Sequence, residues 1–172
     1  MEPLVDTVIE DARWEAVGLA ALADKAATAT FAALGLPELG FSLCVMGCDD
    51  ARIAELNGAF RKKGVPTNVL SFPSENRHAD GPGMLPALPE AGDADDPESL
   101  GDIAISYDTC ARETIEQGKA LKQHVTHLVV HGILHLLGYD HIDEADAALM
   151  EGLEARILAS LGVDDPYTAQ HA

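Results

Sequence analysis

The residues best suited to chemistry in this 172-residue chain lie in the run His127-Leu-Val-Val-His131-Gly-Ile-Leu-His135-Leu-Leu-Gly138-Tyr-Asp-His141, and five of the seven histidines fall between His124 and His141. Imidazoles four residues apart project from one helix face, so His127, His131 and His135 would form a stripe with one member per turn. Neighbours in such a stripe can share a metal ion. The outer two cannot, because eight residues of helical rise separate their Cα atoms by roughly 12 Å, whereas zinc needs each nitrogen about 2 Å away. The ligand pair is therefore His127 with His131, or His131 with His135.

Gly138 selects the second pair. A glycine three residues beyond His135 can take the left-handed conformation that ends a helix, and the turn brings His141 back towards His135. The resulting His-x3-His-x5-His spacing is similar to the metzincin zinc signature except at one position. Three neutral imidazoles, His131, His135 and His141, leave a tetrahedral zinc one place for water, which the ion acidifies towards neutrality. One catalytic Zn2+ per chain is expected; nickel would suit the same donors. Proteases of this spacing carry a glutamate general base directly after the first histidine. Gly132 stands there, which argues against peptide hydrolysis by that route. Asp140, beside His141, is placed to hold a ligand imidazole by its second nitrogen, and His127 to orient a ligand from outside the coordination sphere. His124 is expected at the surface.

These residues need a scaffold. Leu4 to Glu10 reads as a strand, with Asp11 offering an N-cap for an alanine-rich helix from about Glu15 to Leu34, stopped by Gly35 and Pro37. Phe41 to Met46 predicts a second strand. Asp49 or Asp50 can cap a helix carrying Ile53, Leu56 and Phe60 at helical spacing and ending at Lys63-Gly64. Thr67 to Phe72 and Leu100 to Ser106 predict two more strands. Between them Ser74 to Ser99, rich in proline, glycine and acids, reads as a mobile surface loop. Tyr107 to Leu137 is helical with a break near Gly118, and a tail helix spans about Asp143 to Leu161. The expectation is α+β: residues 1–172 as one domain, one mixed sheet of about four strands packed with helices, one of which is a metzincin-like zinc helix.

Composition is that of an ordinary soluble globular domain, with 47% hydrophobic and 23% charged residues, which favours neither disorder nor a membrane class. The apolar stretch from Ala16 to Leu36 carries Asp24 and Lys25 at its middle, so no membrane span is expected. Three cysteines, Cys44, Cys48 and Cys110, are an odd number in a chain with no basic, apolar signal segment, and fit a reducing cytoplasm. They read as small buried hydrophobes. A net charge of −18 repels nucleic acid at long range, so any nucleic-acid function needs a local basic patch. Arg61-Lys62-Lys63 is the tight basic cluster, a solvated helix end or a phosphate contact.

The run His131 to His141 closely resembles the signature of the YbeY family of bacterial endoribonucleases. Two further segments agree: Asn57-Gly-Ala-Phe60-Arg61 followed by Pro66-Thr67-Asn68-Val69-Leu70-Ser71-Phe72-Pro73, and Leu100-Gly101-Asp102-Ile103-Ala104-Ile105-Ser106. The resemblance spans about Asp49 to Leu161. It implies a single-domain zinc hydrolase cleaving single-stranded RNA, acting in 3′-end maturation of 16S ribosomal RNA, small-subunit assembly and quality control, with no DNA or membrane partner. It carries the zinc ligands onto His131, His135 and His141 and a functional basic residue onto Arg61, where a planar guanidinium suits a phosphate; Lys62 and Lys63 are further substrate candidates. Asn68 stands where many family members have Asp, and the acidic 74–99 loop is longer than the family leads one to expect. Two other readings remain open on the residues alone: a zinc peptidase with an unrecognised base, and a non-catalytic ribosome-assembly factor with a structural zinc.

Overall fold

The computed structural model describes residues 4–37, 39–61, 64–77, 79, 81, 83–93, 95–140 and 143–167, excluding the side chains of Leu4, Phe60 and Arg61. Strands β1 (Leu4–Ile9), β2 (Phe41–Cys48), β3 (Val69–Pro73) and β4 (Glu98–Ser106) form one sheet in the order β1-β2-β4-β3. β1 and β4 flank β2 in parallel, and β3 runs antiparallel along the outer edge of β4. The helices among the described residues are α1 (Arg13–Val17), α2 (Leu19–Leu34), α3 (Asp50–Arg61), α4 (Tyr107–Gln117), α5 (Leu121–Leu136) and α6 (Glu144–Ser160). The expected α+β class and mixed sheet are what the chain adopts. None of these helices is long and apolar enough to cross a membrane.

Alternation along the strands sorts the side chains into two cores. Leu43, Val45, Ile103 and Ile105 belong to the larger one, together with Phe31 of α2, Val129 and Ile133 of α5, and Met150 and Ile157 of α6. On the other face a small cluster joins Leu70 and Ala104, directly paired across β3 and β4, to Ile53 of α3 and Cys48. Helix α5 is buried nearly all round, at Val125, Leu128, Val129, Val130, Ile133, Leu134 and Leu136. An amphipathic stripe has thus become a core helix, packed on the sheet and under α6.

The expected helix boundaries hold within a few residues, with one difference. The single helix read from Glu15 to Leu34 is two, because Gly18 takes φ +77° and breaks the backbone between α1 and α2. Asp11 stands one residue before the N-cap, Ala12, and accepts the Arg13 N–H at 3.0 Å, whereas Asp49 and Asp143 accept from Arg52 N–H at 2.9 Å and Ala145 N–H at 2.8 Å as caps do. Cys48 and Cys110 are buried as expected, whereas Cys44, on an alternate position of β2, is half-buried.

Segment 74–97 has neither helix nor strand among its described residues, yet it is anchored. Arg77 is buried at its guanidinium end and ion-paired with Glu98 at 3.1 Å. Gly92 and Glu98 both donate backbone N–H to the Gly40 carbonyl, at 2.9 and 2.8 Å, and Gly83 N–H reaches Asp146 Oδ1 at 2.9 Å. The Arg77 carbonyl also lies against the turn that ends α5. There Gly138, at φ +102°, donates to His135 O at 3.1 Å while Tyr139 N–H donates to Leu134 O at 3.0 Å, the paired bonds of a Schellman motif.

A Cβ on Gly138 would stand 2.1 Å from Arg77 O, whereas one on Gly118 (φ +64°) would meet nothing within 4 Å. Gly138→Ala should therefore cost about 1–3 kcal/mol in a urea unfolding titration, and clearly more than Gly118→Ala, which carries backbone strain alone. Equal costs at the two sites would show that the Arg77 contact contributes nothing.

Candidate metal centre

Helix α5 and its terminal turn carry the histidine stripe. His131 and His135, one turn apart, face each other through their Nε2 atoms at 3.0 Å. Two ligands held about 2 Å from one tetrahedral ion stand about 3.3 Å apart, so this pair is spaced close to what a shared metal requires. His141 lies outside the described residues, as do Lys62 and Lys63, and the side chain of Arg61, the last residue of α3, is likewise outside them. Asn57, quoted in the same motif as Arg61, closes the exit from α3 by donating Nδ2–H to Val65 O at 2.9 Å.

The other nitrogen of His131 is held from α6. Its Nδ1–H donates to Glu154 Oε1, a carboxylate with no solvent exposure. Glu154 Oε2 accepts from His127 Nε2–H at 3.3 Å and from the Tyr167 hydroxyl, and the His127 Nε2–H also lies 3.1 Å from that phenol oxygen. Burial pushes the Glu154 carboxyl up, but the donors from His127, His131 and Tyr167 outweigh it and bring it down to about 2. The Tyr167 phenol moves the opposite way, raised by burial and by the neighbouring carboxylate, and so stays a donor.

The ligand-type atoms of His127, His131 and Glu154 all lie within 4.8 Å of one another, a grouping able to hold a metal ion. The direct contact between His131 Nδ1 and Glu154 is a hydrogen bond, however, and a nitrogen that donates its proton has no lone pair for an ion. The geometry thus favours the Nε2 side of His131 for the metal, with His127 and Glu154 behind it.

Glu154 was missed by the sequence reading, although its signal is present. Met150, Leu153, Glu154, Ile157 and Leu158 are the buried residues of α6, so the carboxylate occupies a core-facing place in the apolar stripe. Tyr167 lies beyond the tail helix, where no reading of the sequence placed a functional residue. Asp140 lines a cleft of about 210 Å³ together with Gly138, Tyr139 and Asp146 and with Met84 and Pro86 of the acidic loop. Gly132, in the place of the protease base, faces the sheet: a Cβ there would be 3.0 Å from Ile103 Cδ1 and 3.2 Å from Ser71 Oγ.

The family profile described as "Endoribonuclease YbeY" matches residues 8–162. The chain belongs to the YbeY family. Endoribonuclease YbeY of Cereibacter sphaeroides is 68% identical over 167 residues, covering 97% of this chain and 100% of that protein. Its namesake in Dinoroseobacter shibae is 56% identical, covering 95% and 90%. A solution structure from Thermotoga maritima superposes with a TM-score of 0.55 at 19% identity, covering 92% of each chain, which supports the fold.

Within this YbeY family chain, Asn68 has a local explanation. Its Nδ2 donates to Glu113 Oε1 of α4 at 3.0 Å while its Oδ1 accepts the Val69 N–H at 2.7 Å, fixing the start of β3. An aspartate there would set one carboxylate against another. The same Glu113 oxygen accepts from His124 Nε2–H at 2.9 Å. Contrary to the surface position expected of it, His124 is buried, because α5 is covered on both sides. Its Nδ1 is buried without a hydrogen-bond partner, which a neutral ring tolerates as a bare acceptor and a charged ring would not. Burial accordingly holds its pKa below the ordinary value, with Glu113 opposing only in part.

Two expectations follow. Asn68→Asp should destabilise the chain by about 1–3 kcal/mol, with Glu113→Gln restoring most of the loss in a double-mutant cycle; full additivity would refute the pairing. Because folded His124 binds its proton more weakly than the unfolded residue, the unfolded state takes up more protons below about pH 6.5, and stability falls as pH drops from about 7 to about 5. His124→Gln keeps a donor at the Nε2 position without titrating and should flatten that fall, measured by urea midpoints at the two pH values.

Proposed function

We propose that this chain, residues 1–172 as one catalytic domain, is a zinc-dependent endoribonuclease of single-stranded RNA, acting in 16S ribosomal RNA 3′-end maturation, assembly of the small subunit and its quality control. Family membership supports the nuclease class. The observation that carries the metal reading is the Nε2 pair of His131 and His135 at 3.0 Å, with Glu154 behind His131. His131, His135 and His141 would hold one Zn2+. When bound, the ion supplies Lewis acidity able to activate water or an RNA hydroxyl for attack at phosphorus.

The protein's own groups supply the rest. Glu154 keeps the His131 proton on Nδ1, leaving the Nε2 lone pair for the ion, and His127 shares in holding that carboxylate. Asp140, the neighbour of His141 in sequence, would give that ligand the same service. Arg61 binds the scissile phosphate through its planar fork and stabilises the charge that grows there, with Lys62 and Lys63 drawing in the RNA backbone. Three free cysteines, two of them buried, are compatible with a cytoplasmic setting.

The test pairs metal content with turnover on one preparation. About one zinc per chain and cleavage of single-stranded RNA are expected of the wild type, with both lost in His135→Ala. RNA cleavage surviving in the zinc-free mutant would sink the proposal, and cleavage of casein but not RNA would redirect it to a peptidase.

A further inference from the structure

The C-terminal segment beyond α6 does not run free: it returns across α5. Val163 N–H donates to Leu158 O at 2.9 Å, turning the chain, and Tyr167 N–H donates to Asp165 Oδ1 at 2.8 Å. The Tyr167 ring then meets His127 edge-on, centroids 5.5 Å apart at 89°, and its hydroxyl ends on Glu154 Oε2.

Glu154 therefore has its two oxygens divided. Oε1 takes the proton of His131 Nδ1, and Oε2 takes Tyr167 O–H and the His127 Nε2–H. A carboxylate on a single bond can swing about its last torsion; one pinned at both oxygens cannot. The rotation of the His131 ring, and with it the direction of Nε2, depends on that pinning.

We infer that Tyr167 is a positioning residue for the metal centre, acting through Glu154 on the tautomer and ring orientation of His131. This rests on the metal reading above. The buried anion also makes the His131 imidazole a better electron donor at Nε2, and Tyr167 keeps that anion from turning to another partner. The arrangement places the last described residue of the chain two hydrogen bonds from the far ring nitrogen of a proposed ligand, so the tail is part of the site.

The experiment measures zinc affinity of the whole chain by competition with a chromophoric chelator, beside urea unfolding midpoints and 15N NMR of the histidine rings. Tyr167→Phe removes one oxygen from a half-buried position and should fold with a midpoint close to wild type while binding zinc about tenfold more weakly; Glu154→Gln should lose more, up to about a hundredfold. In the wild type the His131 proton should reside on Nδ1, with its resonance perturbed in Tyr167→Phe. A folded Tyr167→Phe protein with wild-type zinc affinity overturns the inference. So does a wild-type His131 protonated on Nε2, a result that needs no variant. A wild-type chain that binds no zinc, or a His135→Ala chain that binds it undiminished, overturns the metal reading instead.

Discussion

Helix α5 can approach the sheet as closely as it does because residue 132 has no side chain. Ile103 and Ser71 occupy the space a Cβ would need, and the Ser71 hydroxyl donates to the Gly132 carbonyl at 3.4 Å. That contact fixes how the helix is rotated about its axis. With Val129, Gly132, Ile133 and Leu136 turned into the sheet-side core, His127, His131 and His135 are carried to the strip beside α6, where Glu154 waits. A larger residue would lift or rotate the helix, and every nitrogen on it would move. The same seat leaves no room for the carboxylate that a protease of this spacing carries, so the want of a base and the placing of the imidazoles have one cause.

Much of this was legible in the chain. Period and punctuation located each strand and helix within a few residues, and Gly138 announced the turn after His135 because its position demands a conformation that other residues adopt at a cost. What escaped the reading was what depends on two segments meeting. His124 reads as a surface residue because nothing local says that both sides of α5 are covered. Glu154 is hidden among the buried Met150, Leu153, Ile157 and Leu158 of α6, and the Tyr167 contact joins residues 13 positions apart across a turn that has no periodicity. Gly18 escapes a sequence reading for a different reason: one glycine among helix-forming alanines costs little on propensity, so nothing local announces the left-handed conformation it takes between α1 and α2.

Electrostatics narrows where a polyanion can be met. With 29 acidic and 11 basic side chains, most of the surface repels RNA. Arg13, Arg52, Arg77 and Arg112 each stand within salt-bridge distance of a carboxylate, at 2.6, 3.2, 3.1 and 3.0 Å, and their charge is neutralised locally. Of the other basic residues, Lys25, Lys119, Lys122 and Arg156 stand apart in the sequence, and Arg61-Lys62-Lys63 is the tight cluster on which the proposed phosphate contact rests. Repulsion over the rest of the surface confines where a nuclease can meet its RNA.

The pairing of Pro73 with Gly101 places the two ends of the acidic segment on adjacent strands. A loop whose ends are already neighbours adds little to the closure entropy as it grows, on the order of 0.6 kcal/mol per doubling of length. Its first part is tied down at Arg77 and shares the fate of the helix turn, Met84 and Pro86 line the cleft beside Tyr139, and the exposed residues Ala87, Leu88 and Glu90 have more freedom. The fold thus contains a region where length and charge are free to vary between relatives without altering the sheet or the histidines, and where a foreign segment could be carried at small cost.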